Sequence, residues 1–241
     1  MSKLAEKIRR AGRMQPSALG FVTSRSQQGA TVVLAGASRD ASAATELAQR
    51  GADVVVAGSA GSAAPADGRA GGETIMGSWM TGKLDDEAKT YREAGFDFVI
   101  FDPDKASATA VLDEEIGYVL SLPGDLTDAQ VRALEAFQLD AIYVGKIDGA
   151  LTVRRQIELQ RLFALARKPL MASVSPGISV TELRALRDAN IAVVMVEGAE
   201  NVAKLRAPID ALPPRTRRRD EERPTPLIPQ STAGHEHDDD D

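Results

Sequence analysis

The sequence predicts an α/β chain whose parallel strands close into a (β/α)8 barrel with an abbreviated second helix and a disordered C-terminal tail. The first observation is a series of eight short apolar runs, beginning at Thr31-Val-Val-Leu-Ala-Gly36, Asp53-Val-Val-Val-Ala-Gly58, Ile75-Met-Gly-Ser-Trp79 and Phe98-Val-Ile-Phe-Asp102. It continues with Tyr118-Val-Leu-Ser-Leu122, Ala141-Ile-Tyr-Val-Gly145, Pro169-Leu-Met-Ala-Ser-Val174 and Ile191-Ala-Val-Val-Met-Val196. These runs are apolar throughout instead of alternating, as strands covered on both faces must be. The second observation is their spacing of roughly 20 to 28 residues, which fits one strand, two loops and one helix of about three turns. The third is the lack of a G-x-G-x-x-G loop after Ala35-Gly-Ala-Ser-Arg39, which argues against an open dinucleotide-binding sheet.

Residues 1–28 are read as an N-terminal helix and cap, in which Leu4 and Ile8 form one apolar face beside basic residues and seal the bottom of the barrel. Residues 29–212 carry the barrel. Within them Thr45–Arg50, Asp85–Arg92 and Thr127–Phe137 read as amphipathic helices. Gly51, Gly95 and Asn190, each just before a strand, suit the left-handed residue that ends a helix. Between the second and third strands, Ser59–Gly72 is rich in glycine and carries Pro65, so its helix is expected to be short or missing. The gap would expose strand surface that a second protomer could cover, or it would be a long loop at the barrel mouth. Residues 213–241 pass through Arg217-Arg-Arg219 and Glu221-Glu222 to His235-Glu-His-Asp-Asp-Asp-Asp241 and are expected to form a flexible charged tail. Its Pro226-Leu-Ile-Pro229 segment is read either as solvated or as an extended piece lying in a groove of a neighbouring subunit.

Composition excludes several classes. With 29 Lys and Arg against 35 Asp and Glu, a net charge of -6 and a pI near 5.1, the chain lacks the cationic surface a general nucleic-acid binder requires. The absence of cysteine removes disulfides, thiolate nucleophiles and Cys-ligated metals. No apolar run reaches the ~20 residues of a membrane helix, and a cytoplasmic location is expected by default. No histidine precedes His235, so no imidazole base is available within the barrel.

Chemistry in such a barrel belongs to the C-terminal ends of the strands. The residues falling there include Ser38 and Arg39, Trp79, Asp102, Asp104 and Lys105, Ser121, Lys146 and Asp148, Ser173 and Ser175, and Glu197. Over about residues 31 to 212 the order of runs resembles the aldolase-type TIM barrels, an architectural likeness that names no single family. It implies that Lys146, ending the sixth run, is the amine that forms a Schiff base with a small keto or phosphorylated substrate. A nucleophilic amine must be neutral, which requires desolvation or a second cation, here Lys105. Asp102 or Asp104 would shuttle protons to the carbinolamine.

Strand parity leaves the orientation of Lys146 open. It faces the interior if Ile142 and Val144 do, and the helices if Tyr143 and Gly145 do, where it would be a structural lysine paired to Asp148 or Asp104. The loops after strands seven and eight are expected to hold the substrate's anionic end, through Ser173, Ser175, Gly177, Gly198 and Ala199, with Arg39 and Trp79 as further substrate contacts. Glu197 and Glu200 oppose an anion there. The cofactor is left unknown; Asp102, Asp104 and Glu197 are the oxygen ligands if a hard cation is used. The alternatives are a non-catalytic barrel that binds or assembles through the missing-helix groove and the tail, and an FMN-dependent oxidoreductase. A homo-oligomer is expected.

Overall fold

The computed structural model describes residues 2–12, 31–38, 43–58, 74–80, 84–112, 114–122, 124 and 126–213. The expected tail beyond Pro213, the Ser59–Gly72 segment and Arg39 lie outside them. Eight strands form one closed parallel barrel in chain order: β1 Val33–Ser38, β2 Val54–Ala57, β3 Ile75–Trp79, β4 Phe98–Phe101, β5 Gly117–Ser121, β6 Ala141–Ile147, β7 Leu170–Val174 and β8 Ile191–Glu197. Closure follows from the pairing of β8 with β1, in which Ala37 stands opposite Glu197. A closed barrel has no free edge, so each strand is paired on both sides.

Outside the sheet lie α2 (Ala44–Gln49) after β1, α3 (Leu84–Glu93) after β3, α4 (Asp128–Ala133) after β5, α5 (Val153–Ala166) after β6, α6 (Val180–Asp188) after β7 and α7 (Ala199–Asp210) after β8. Helix α1 (Lys3–Gly12) precedes the barrel. Gly51, Gly95 and Asn190 take left-handed backbone, with φ of +98°, +94° and +68°, in the helix-ending places the sequence assigns them. The crossover from β4 to β5 differs from the regular alternation. In place of an α-helix it has two short 3-10 turns, Pro103–Lys105 and Ala110–Leu112. Asp102 caps the first of these turns by accepting the Asp104 N–H at 3.0 Å, and Pro103 occupies its first position. The Tyr118 hydroxyl donates to the Ala110 carbonyl at 2.8 Å and ties this crossover down over a small apolar cluster of Met80, Val99, Phe101 and Leu120.

The core has two main layers. Ile142, Val144, Ile147, Leu170, Val194 and Val196 pack outward against the helices. Val33, Ala35, Val54, Val56, Ile100, Val119, Ala141, Met171, Val193 and Met195 fill the barrel itself. The interior is packed and is not a channel. A methyl group on Gly77 would stand 2.1 Å from the Phe98 ring, so glycine in β3 is what lets that ring lie against the neighbouring strand.

At the bottom, Leu4 and Ile8 of α1 join the interior cluster. Three aspartates hold the helix in place. Asp53, Asp97 and Asp140 enter the even strands β2, β4 and β6, and each backbone N–H donates to the preceding odd strand, at Leu34, Met76 and Tyr118. Their carboxylates accept the N–H groups of the same three residues. Each carboxylate then meets α1: Lys7 pairs with Asp53 at 2.9 Å, Lys3 with Asp97 at 2.8 Å, and the Ser2 hydroxyl donates to Asp140.

Candidate active site

Lys146 sits at the C-terminal end of β6, and a break in register determines where it faces. Tyr143 stands opposite Met171, but Lys146 stands opposite Ser173, so β6 uses three steps where β7 uses two. The extra residue is a β-bulge at Val144-Gly145, and Gly145 has φ of +83°, a conformation that favours glycine. Ala141 and Tyr143 share the barrel interior with Met171, while Ile142, Val144 and Ile147 pack against the helices. The bulge therefore restores Lys146 to the interior phase beside Ser173. Simple alternation from Tyr143 would have turned it away.

The amine is not desolvated. The Lys146 side chain is 62% exposed, and its Nζ lies 2.8 Å from a carboxylate oxygen of Asp148. The hydrogen bond and charge of Asp148, with smaller help from Glu197, hold its pKa above the ordinary lysine value. Lys105, expected as the second cation, instead pairs with Asp102 at 3.6 Å on the β4–β5 crossover. Asp102 has its other oxygen engaged with Asp104 N–H, and both Asp104 and Lys105 are exposed. Asp148 and Glu197, not Lys105, are thus the charges that act on the amine. No set of three acidic or histidine side chains able to hold a metal ion occurs among the described residues, so Asp102, Asp104 and Glu197 do not gather as a ligand set.

Around Lys146 lies a group of polar and aromatic residues in interior phase. The Tyr143 hydroxyl and Ser173 Oγ are 2.8 Å apart, and the Trp79 ring meets the Tyr143 ring edge-on at 5.0 Å. Burial raises the Tyr143 pKa, partly opposed by Ser173 and reinforced by Glu197, so its hydroxyl stays protonated and able to donate. Glu197 follows Val193 and Met195 on the inward face of β8 and ends exposed at the mouth. Tyr143 is the site residue the sequence least advertised. The signal that points to it is its place as the single aromatic of the sixth run, on the same phase as Ala141.

The last two loops form the adjoining corner. Ser175 and Gly177 are exposed after β7, and Gly198 and Ala199 open α7. An added methyl on Gly177 or Gly198 would meet nothing within 4 Å, so the backbone there is open to approach. The N-terminus of α6 is closed by its own capping box, in which Ser179 accepts from Glu182 N–H and the Glu182 carboxylate accepts from Ser179. Helix α7 begins at Gly198 with no side-chain cap. Asn201 instead donates to the Glu197 carbonyl at 2.7 Å and fixes the turn that carries Glu197.

A closed eight-stranded parallel barrel with its polar residues gathered at the C-terminal ends of the strands has the fold of the aldolase-type TIM barrels. No protein-family model matches the chain, and no curated protein matches it in sequence. Among solved structures it is similar to 3-keto-L-gulonate-6-phosphate decarboxylase from Vibrio cholerae, at 14% identity over 76% of this chain and 99% of that one, with a TM-score of 0.56. Tryptophan synthase from M. tuberculosis gives 13% identity, coverage of 90% and 100%, and a TM-score of 0.57. Phosphoribosyl anthranilate isomerase from Thermus thermophilus gives 14%, 76% and 100%, and 0.55. At these identities the likeness is one of fold. No described helix is long and apolar enough to cross a membrane.

Proposed function

We propose that the mouth of this barrel is the active site of an aldolase-type lyase acting on a small keto or phosphorylated substrate, with Lys146 at its centre. The observation that carries this reading is the glycine bulge of β6, which sets an amine into interior phase at the catalytic end of the barrel. In the covalent route the Lys146 lone pair attacks the substrate carbonyl, giving a carbinolamine that loses water to become an iminium ion. The Tyr143–Ser173 hydroxyl pair donates the proton that the departing water needs, and Glu197 removes a proton from the substrate carbon or returns one. Asp102 and Asp104 are further acid/base candidates. Ser175, Gly177, Gly198 and Ala199 receive the anionic end, with Arg39 and Trp79 as further contacts. The phosphorylated keto compound in the name of the Vibrio cholerae decarboxylase supports this choice of substrate class.

The Asp148 contact favours a second route on the same residues. Lys146 then stays an ammonium and stabilises the oxyanion of an enolate while Glu197 moves the proton, with no covalent bond to the enzyme. Borohydride trapping with a panel of aldehydes, keto acids and sugar phosphates, followed by mass mapping, separates the two. The expected result is a substrate-dependent adduct confined to Lys146 and absent from Lys146→Ala. Turnover without an adduct, lost in the same variant, selects the ammonium route. Neither turnover nor adduct on the whole panel rejects the lyase reading in favour of a binding or assembly barrel.

A further inference from the structure

We propose that Arg155, on α5, is a positioning residue for Lys146, acting by holding the carbonyl at the β6 bulge; this rests on the reading of Lys146 given above. The Tyr143 carbonyl accepts from Leu122 N–H on the β5 side of β6. Alternation along a strand turns the next carbonyl, that of Val144, toward β7. There the register slips, and a bulge leaves a backbone group without its regular ladder partner. Arg155 Nη2 donates to the Val144 carbonyl at 3.1 Å.

Arg155 is itself held at both its side chain and its backbone. Its Nη1 donates to Glu158 at 3.1 Å, and the Arg155 backbone N–H donates to the Thr152 hydroxyl that caps α5. One end of this chain of contacts is a helix start, and the other is the carbonyl two residues before Lys146. A β6 without the bulge would place Lys146 in the phase of Ile142 and Val144, toward the helix layer. Arg155 thus ties the first turn of α5 to the backbone kink that sends the amine into the mouth.

The test replaces Arg155 by Ala and by Met, the latter keeping the aliphatic stem so that packing and folding survive loss of the fork. Lysines are 13C-methylated reductively, and the Lys146 signal, assigned by its absence in Lys146→Arg, is followed with pH. In the unaltered protein it titrates above the ordinary lysine value because Asp148 holds the ammonium. In both Arg155 variants the signal is expected to fall to the ordinary lysine range. In unmethylated protein, trapping at Lys146 is expected to slow about tenfold or more, because the amine leaves the mouth and this loss of position outweighs the gain in neutral amine. Millimolar guanidinium is expected to restore both. Glu158→Gln, which leaves the Val144 contact intact, is expected to change neither.

A folded Arg155→Met protein whose Lys146 titrates as before overturns the proposal. The titration needs no substrate, so it reports on Arg155 even where trapping fails on every substrate, a result that counts against the lyase reading alone.

Discussion

At Lys146 the strongest effect on reactivity is its neighbour Asp148. The pair lies in solvent, so it adds little to stability, but it sets the protonation of the amine. Because Asp148 raises the pKa, Asp148→Asn must lower it toward the ordinary lysine value. Each unit of that fall makes the neutral amine about tenfold more abundant at neutral pH. Borohydride trapping at Lys146 is therefore expected to speed up in Asp148→Asn, and the rise of its rate with pH to begin at lower pH. A slower reaction would make Asp148 the acceptor of a proton in the chemistry instead of a brake on it. Lys146 was legible in the sequence as the end of the sixth run, but its direction was not. The period-two rule breaks at Gly145, and a lone glycine after Val144 does not reveal whether a strand continues, ends or bulges. Asp148 was named among the partners of a structural lysine. The structure gives Lys146 both the inward phase and that partner.

Among the elements, α1 and the three even strands share one device, an aspartate at strand entry bonded both to the preceding strand and to the helix. For Asp53, burial by itself would raise the pKa. The Leu34 N–H, Lys7 and Arg206 outweigh it and leave the carboxylate below its ordinary value. Its contribution to stability is then present above the ordinary carboxylate pKa and is lost as pH falls through the lower, folded value. Asp53→Asn is expected to cost about 2 kcal/mol near neutral pH, the scale of hydrogen bonds to a charged group, with the difference from the unaltered protein closing in acid. Asp140 has the opposite sign. Its burial outweighs the Ser2 and Tyr118 hydrogen bonds and raises its pKa, so its share of stability is complete in acid and declines as pH rises through the folded value. Urea unfolding of Asp53→Asn and Asp140→Asn across pH should show opposite slopes relative to the parent; parallel curves would contradict the assignment. The strands, the helix-ending glycines and the apolar face of α1 could all be read from sequence, since each depends on local pattern. The helix-free crossover after β4 could not, because its apolar residues belong to a satellite cluster formed only when Tyr118 and Phe101 come together.

For the whole molecule, closure of the barrel makes the bottom seal and the mouth chemistry separable. Leu4 and Ile8 are at most 7% exposed and belong to the interior cluster, so removing α1 uncovers the lower barrel. Burial of two such side chains is worth about 3 to 6 kcal/mol together, and for a barrel of this size each kcal/mol moves the thermal midpoint by roughly 2 to 4 °C. Deleting residues 2–12 is expected to lower the midpoint by roughly 6 to 24 °C. At the other end, Leu212 is buried and the Pro213 carbonyl accepts from Arg187, so the packed chain extends through Pro213. A chain ending at Pro213 should keep its midpoint and, on the lyase reading, its adduct at Lys146, because every group placed at the mouth precedes that point. The two truncations therefore divide the competing functions. If removal of residues 214–241 instead abolishes the Lys146 chemistry, or breaks an oligomer whose mass falls to that of one chain, the tail is part of the working unit. The barrel would then be read as an assembly module whose mouth is completed by another copy.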